Sequence, residues 1–235
     1  MHFSYATLWD KGDFYSINQD SFALQSVLTG AGPFAMALVC DGVGGLSKGE
    51  YAGGLVAKSM TAWFYEHALV SLCQKKSFYK LFGSFKRALA EVHEILVKEG
   101  QAQEISMGTT ITMLLLGKGR YYVFHVGDSR CYKIRKRIEK LTKDQTDASG
   151  KLLYAVGVGD MPSVWKKRGS YGPKDTFLLG SDGLVRCLTP QALQVIGTLK
   201  TGQEGEMRKI LRELVRRGRS KGERDNCTGI VLKKK

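Results

Sequence analysis

Three apolar runs of strand length in this chain each empty into an aspartate beside a glycine: Phe34 to Cys40 leads to Asp41, Tyr121 to Gly127 leads to Asp128, and Thr176 to Ser181 leads to Asp182. Asp20 and Asp225 stand just outside two further short runs, Ser21 to Leu24 and Cys227 to Leu232. A carboxylate at a strand end is fixed by rigid backbone yet faces a cleft, and several brought together repel unless positive charge lies between them. A divalent cation is the simplest neutraliser. All-oxygen donors without paired His or Cys favour a hard ion, Mg2+ or Mn2+, over zinc, which points to a metal-dependent enzyme of phosphate chemistry.

Short apolar or alternating runs bounded by turn residues predict strands at Phe3 to Leu8, Ser21 to Val27, Phe34 to Cys40, Thr109 to Leu116, Tyr121 to Val126, Arg130 to Arg135, Thr176 to Gly180 and Thr228 to Leu232. Between the third and fourth, Leu55, Met60 and Phe64, then Phe85, Leu89, Val92 and Leu96, recur at helical spacing. They predict two long antiparallel helices with a break near Gln74 to Ser77. Thr189 followed by Pro190 marks a helix start, and a further helix runs from about Glu204 to Gly218 after a basic last turn. Tight spacing at Gly117 to Gly119 and at Lys133 to Arg137 implies hairpins, so the sheets are expected to be mainly antiparallel. No stretch reads as a linker, and residues 1–235 are taken as a single domain.

The chain is long enough to bury a core, with 43% hydrophobic and 25% charged residues. No apolar stretch reaches membrane-spanning length, and Met1 to Leu8 lacks a secretory pattern, so a cytoplasmic location away from membranes is expected. Five cysteines, at 40, 73, 131, 187 and 227, show no CxxC spacing and read as reduced thiols packed as small apolar groups. Lys and Arg outnumber Asp and Glu by 36 to 22, a net charge of +14 gathered at Lys133 to Lys140, Arg208 to Arg224 and Lys233 to Lys235. These runs read equally as solvated faces or as a surface for acidic or phosphorylated partners. Nucleic acid is not expected as a partner, because the basic runs lack interleaved aromatics.

Asn18-Gln19-Asp20, Asp41-Gly42-Val43-Gly44-Gly45, Gly108-Thr109-Thr110, Val126 to Arg130, Ser181-Asp182-Gly183 and Arg224-Asp225-Asn226 follow one another in an order that resembles the metal-dependent type 2C protein serine/threonine phosphatases, in their compact bacterial form. The resemblance spans about residues 10 to 232 and implies an α/β (α+β) four-layer sandwich, two mainly antiparallel β-sheets face to face with α-helices on both outer sides. It implies that Asp41 bridges two Mn2+ or Mg2+ ions, with the Gly42 carbonyl completing one shell and Asp182 and Asp225 holding the second ion. Asp20 and Gln19 match outer positions that orient metal-bound water, and Asp128 with Asp182 matches a pair that holds a third ion in many members. Asp41, Asp182 and Asp225 are thus the expected catalytic set, and phosphoserine or phosphothreonine in proteins the expected substrate, hydrolysed by a metal-bridging water. A monomer that opposes a cognate serine/threonine kinase follows from the same resemblance.

Two departures stand out. Tyr15 occupies the position of the family's phosphate-gripping arginine, and no arginine precedes Arg87, so phosphate binding is expected to be weaker and to draw on Lys11 or Lys48. After Leu141-Thr142-Lys143-Asp144 the family inserts a flap, whereas Gln145 to Leu153 leads here almost directly into Tyr154-Ala155-Val156-Gly157. A reduced or absent flap implies an open cleft with little selectivity among phosphopeptides. The same departures motivate an alternative, a catalytically weak phosphoprotein-binding regulatory module of the same fold.

Overall fold

The computed structural model describes residues 3–74 and 77–234. Its strands are β1 (Phe3–Asp10), β2 (Ser21–Thr29), β3 (Gly32–Cys40), β4 (Ile111–Gly117) and β5 (Arg120–Val126), then β6 (Arg130–Ile134), β7 (Ile138–Lys140), β8 (Trp165–Ser170), β9 (Thr176–Gly180) and β10 (Cys227–Lys234). They form two five-stranded sheets, ordered β1-β10-β9-β6-β7 and β2-β3-β4-β5-β8, with every neighbouring pair antiparallel. Helix α1 (Gly49–Trp63) continues through a π-helical turn, Phe64–Ala68, into α2 (Leu69–Cys73), and α3 (Phe78–Ala102) returns alongside it. Contacts of Trp63 with Ser84, and of Lys48 with Gln103, put the start of one beside the end of the other, as in the expected antiparallel pair. Helices α4 (Asp182–Cys187), α5 (Pro190–Thr198) and α6 (Glu204–Ser220) follow β9. No described helix is long and apolar enough to cross a membrane.

β3 is apolar throughout because both of its faces are covered. Phe34, Met36, Leu38 and Cys40 pack against α1 and α3, whereas the alternate residues Ala35, Ala37 and Val39 meet Phe177, Leu179, Ile230 and Leu232 of the other sheet. That second sheet turns Leu178 and Val231 outward onto Leu193, Ile196, Met207 and Leu211 of α5 and α6. Period-two alternation across two buried faces thus builds three apolar layers, and the result is the four-layer α+β sandwich.

The expected strands and long helices are present. The break between the helices falls where Gln74 ends α2 and Ser77 caps α3, its Oγ accepting from the Lys80 amide at 3.4 Å. Lys75 and Lys76, named in that break, lie outside the described residues, as does Lys235 of the terminal basic run. Neither β8 nor α4 was expected, whereas β7 forms with β6 the hairpin expected at Lys133 to Arg137. Strand β8 reads Trp-Lys-Lys-Arg-Gly-Ser and is largely exposed, because it closes a sheet edge where cations discourage pairing with another chain.

The register collects the aspartates at one end of the sandwich. Ser21, after Asp20, pairs with Cys40, before Asp41; Ile111 pairs with Val126, two residues before Asp128; Gly180, two before Asp182, lies between Arg130 and Gly229. Cys227, two after Asp225, pairs with Asp10.

Candidate active site

Both backbone polar groups of Asp41 are engaged, which fixes the position of its carboxylate. Its amide donates to Thr110 Oγ1 at 3.0 Å, and its carbonyl accepts from the Thr110 amide at 2.8 Å and Thr109 Oγ1 at 3.0 Å. Gly42 follows with its amide on the Gln19 carbonyl at 3.2 Å. A Cβ there would stand 2.8 Å from Gly49 Cα and 2.9 Å from the Gln19 carbonyl, so only glycine lets these segments close on one another.

Asp20 links the two sheets. Its buried carboxylate accepts from Ser181 Oγ at 2.8 Å, and that hydroxyl accepts from the Thr228 amide at 2.9 Å. The Gln19 amide donates to Asn226 Oδ1 at 2.9 Å, and Asn226 Nδ2 donates to the Lys11 carbonyl at 2.8 Å. On the far side the Asp182 amide donates to Asp41 Oδ2 at 3.3 Å. Gly183 brings α4 against the turn that carries Asp225: a Cβ there would lie 2.2 Å from the Asn226 carbonyl.

Electrostatics register how closely these acids are gathered. Burial holds the Asp41 carboxyl well above its ordinary pKa, and the charges of Asp20, Asp182, Asp128 and Asp225 push the same way. Burial likewise lifts Asp20 to about 6, with Asp182 and Asp225 adding to it, and lifts Asp128 to about 6, where Asp182 adds and Arg186 opposes. Arg186 is the cation set among them. Its Nη1 bonds Asp182 Oδ2, its Nη2 bonds Asp225 Oδ2 at 2.8 Å, and its Nε bonds Glu223 Oε2 at 2.7 Å. Glu223 Oε1 in turn accepts from the amides of Arg224 and Asp225, each at 2.9 Å.

Among the described residues no three His, Cys, Asp or Glu side chains already close into a cation-holding group. Two of the carboxylates, Asp182 and Asp225, are instead paired with Arg186. The donor set nonetheless suits a hard divalent ion, since every acid in it supplies oxygen and, among the described residues, its carboxylates have one guanidinium as their cationic partner.

The residues expected on the substrate side are placed differently. Tyr15 is exposed and packs edge-on against Phe14 at 5.0 Å, while Lys11 Nζ donates to the Tyr15 carbonyl at 3.0 Å. Lys48 caps α1 with φ 54° and turns its ammonium to Gln103 Oε1, so neither lysine is bonded to the acids. His125 is buried, its Nδ1 2.8 Å from Thr112 Oγ1, and burial lowers its pKa to about 4, as befits a structural histidine. Arg186 and Glu223 were not singled out from sequence. The signal for the arginine was its position four residues after Asp182, but it counts only once a helix is known to start there.

The sequence pattern of the protein phosphatase 2C family matches residues 15–226. A Mycoplasma pneumoniae protein is 27% identical over 166 residues, covering 70% of this chain, and the match spans only 63% of that relative's own length. The serine/threonine phosphatase stp of Listeria welshimeri is 24% identical over 222 residues, 85% of this chain and 84% of its own. The solved catalytic domain of the serine/threonine protein phosphatase PstP, in complex with two manganese ions, superposes with a TM-score of 0.74 and 25% identity, covering 98% of this chain and 97% of that one.

Proposed function

The chain belongs to the protein phosphatase 2C family, and from that premise we propose that it is a Mn2+- or Mg2+-dependent protein serine/threonine phosphatase. The observation that carries this reading is the cluster of five aspartates from distant segments, with Asp41 half-buried among the other four and its proton affinity raised by desolvation and by their charges. Such a cluster is costly without cations and favourable with them. Asp41, the Gly42 carbonyl, Asp182 and Asp225 are the groups that would hold two ions, Asp20 and Gln19 those that orient water, and Asp128 with Asp182 those that would take a third. When bound, a pair of divalent ions supplies an acidified water and the positive charge that phosphoester hydrolysis requires.

The protein's own part is to fix that geometry. The Asp20–Ser181 and Gln19–Asn226 bonds tie the sheets together beside the aspartates, and the Lys11 carbonyl is joined to the same network through Asn226. Tyr15, Lys11 and Lys48 are the substrate-side groups of this reading. With Val43 after Gly42 and His125 buried, the departing serine or threonine oxygen takes its proton from water. Residues 145–153 close as a tight turn, Leu153 amide to Gln145 carbonyl at 2.8 Å and Asp147 amide to Lys151 carbonyl at 2.9 Å, and we read this turn as all that remains of the flap in one catalytic domain. Phosphorylated proteins are the proposed substrates, a cognate kinase the opposing enzyme, and a cytoplasmic monomer the working form.

The test is hydrolysis of p-nitrophenyl phosphate by the native chain and Asp41→Ala, with and without millimolar Mn2+. Turnover that needs Mn2+ and falls at least a hundredfold in the variant is expected for a lost cation ligand. Native protein without metal-stimulated turnover would overturn the reading and favour a phosphoprotein-binding module.

A further inference from the structure

Arg186 sits one helical turn after Asp182 on α4, which places its head over that carboxylate. All three of its donating nitrogens are engaged: Nη1 with Asp182, Nη2 with Asp225 at 2.8 Å and Nε with Glu223 at 2.7 Å. Among the described residues no other Lys or Arg forms an ion pair with Asp20, Asp41, Asp128, Asp182 or Asp225. The two ends of this arrangement differ in rigidity. Glu223 is only 13% exposed and is pinned by two backbone amides, whereas Arg186 is 46% exposed and can swing.

We propose that Arg186 is an attached counter-ion of the aspartate cluster: it holds Asp182 and Asp225 together in the metal-free chain, competes with divalent cations for the same oxygens, and stays anchored to Glu223 when they displace it. This rests on reading Asp182 and Asp225 as cation ligands. A guanidinium neutralises part of the cluster's repulsion, so the metal-free chain gains stability at the expense of cation affinity. The two effects have opposite signs, which separates this role from simple structural support.

The test is Mn2+ binding to the whole chain by isothermal titration calorimetry, with melting of the metal-free protein alongside. Arg186→Gln is expected to bind Mn2+ roughly three- to tenfold more tightly, the order of two partly exposed ion pairs released, while its metal-free form melts lower. Arg186→Lys, one point charge in place of a two-pronged fork, is expected to fall between the two. Mn2+ affinity unchanged or weakened in both variants, with native circular dichroism retained, would overturn the inference. A native chain that takes up no Mn2+ would instead sink the cation reading, and this inference with it.

Discussion

Asp144 lies just outside the aspartate cluster and is governed by opposite electrostatics. Its carboxylate receives Arg130 Nε and, at 2.6 Å, Arg130 Nη2, with Lys140 Nζ at 3.2 Å from Oδ2. Burial alone would raise its pKa, but the hydrogen bonds and charges of Arg130 and Lys140 outweigh burial and hold it below the ordinary carboxylate value. Arg130 opens β6 two residues after Asp128, so the pair ties the strand beside the site to the segment that follows β7. A depressed folded pKa means the folded state binds its proton less readily than the unfolded chain. The pair's contribution is then complete above the unfolded pKa and is lost as pH falls through the folded one. Asp144→Asn should therefore melt below the native protein by a constant margin above about pH 5, and the margin should close below about pH 4. A margin unchanged down to pH 2 in thermal melts would contradict this account.

Between elements, the contact of α4 with the turn before β10 controls how the two late aspartates meet. A methyl at Gly183 would stand 2.2 Å from the Asn226 carbonyl, so Gly183→Ala must push α4 back and separate Asp182 from Asp225. The expected cost is ~1–3 kcal/mol in urea unfolding, as for other overpacked sites. Mn2+ affinity should weaken too; calorimetry showing native affinity in a destabilised variant would mean the spacing does not matter. This helix is also where sequence reading fell short. Asp182-Gly183 after an apolar strand looks like a turn, and a six-residue helix is too short to show periodicity. Without α4 the reach of Arg186 back to Asp182 is invisible, and its bond to Glu223 depends on a contact 37 residues away. β8 escaped for a different reason: an exposed, cationic edge strand carries neither alternation nor β-branched residues. By contrast, β3, β4 and β9 were legible because burial on both faces leaves an unbroken apolar run, and the aspartates were legible because they end or flank such runs.

At the scale of the molecule, charge is distributed unevenly along the axis of the sandwich. The acids collect before β10, whereas Arg135, Lys136, Lys174, Lys200, Lys233 and Lys234 line an open cavity of about 660 Å³ near its last residues. Eight residues of strand separate the two ends of β10 by roughly 25 Å. With a net charge of +14, acidic phosphoproteins should be drawn to the surface over distances that salt can screen. The KM for an acidic phosphopeptide is thus expected to rise several-fold between 50 and 500 mM salt, with that for p-nitrophenyl phosphate nearly constant. Equal changes for both substrates would assign the charge to solubility alone.

The pairing of β1 with β10 has a consequence for biosynthesis. Among the described residues β10 is the one sheet neighbour of β1, and the bonds beside the aspartates join Gln19 to Asn226 and Asp20 to Ser181. β1 therefore gains its partner only when Cys227–Lys234 joins the fold, a long-range closure of the kind that slows folding. A nascent chain stalled before residue 225 has none of the late carboxylate's contribution and cannot assemble the full acidic cluster. Under the proposed function, a polypeptide cut short of that point is expected to hydrolyse no phosphoester.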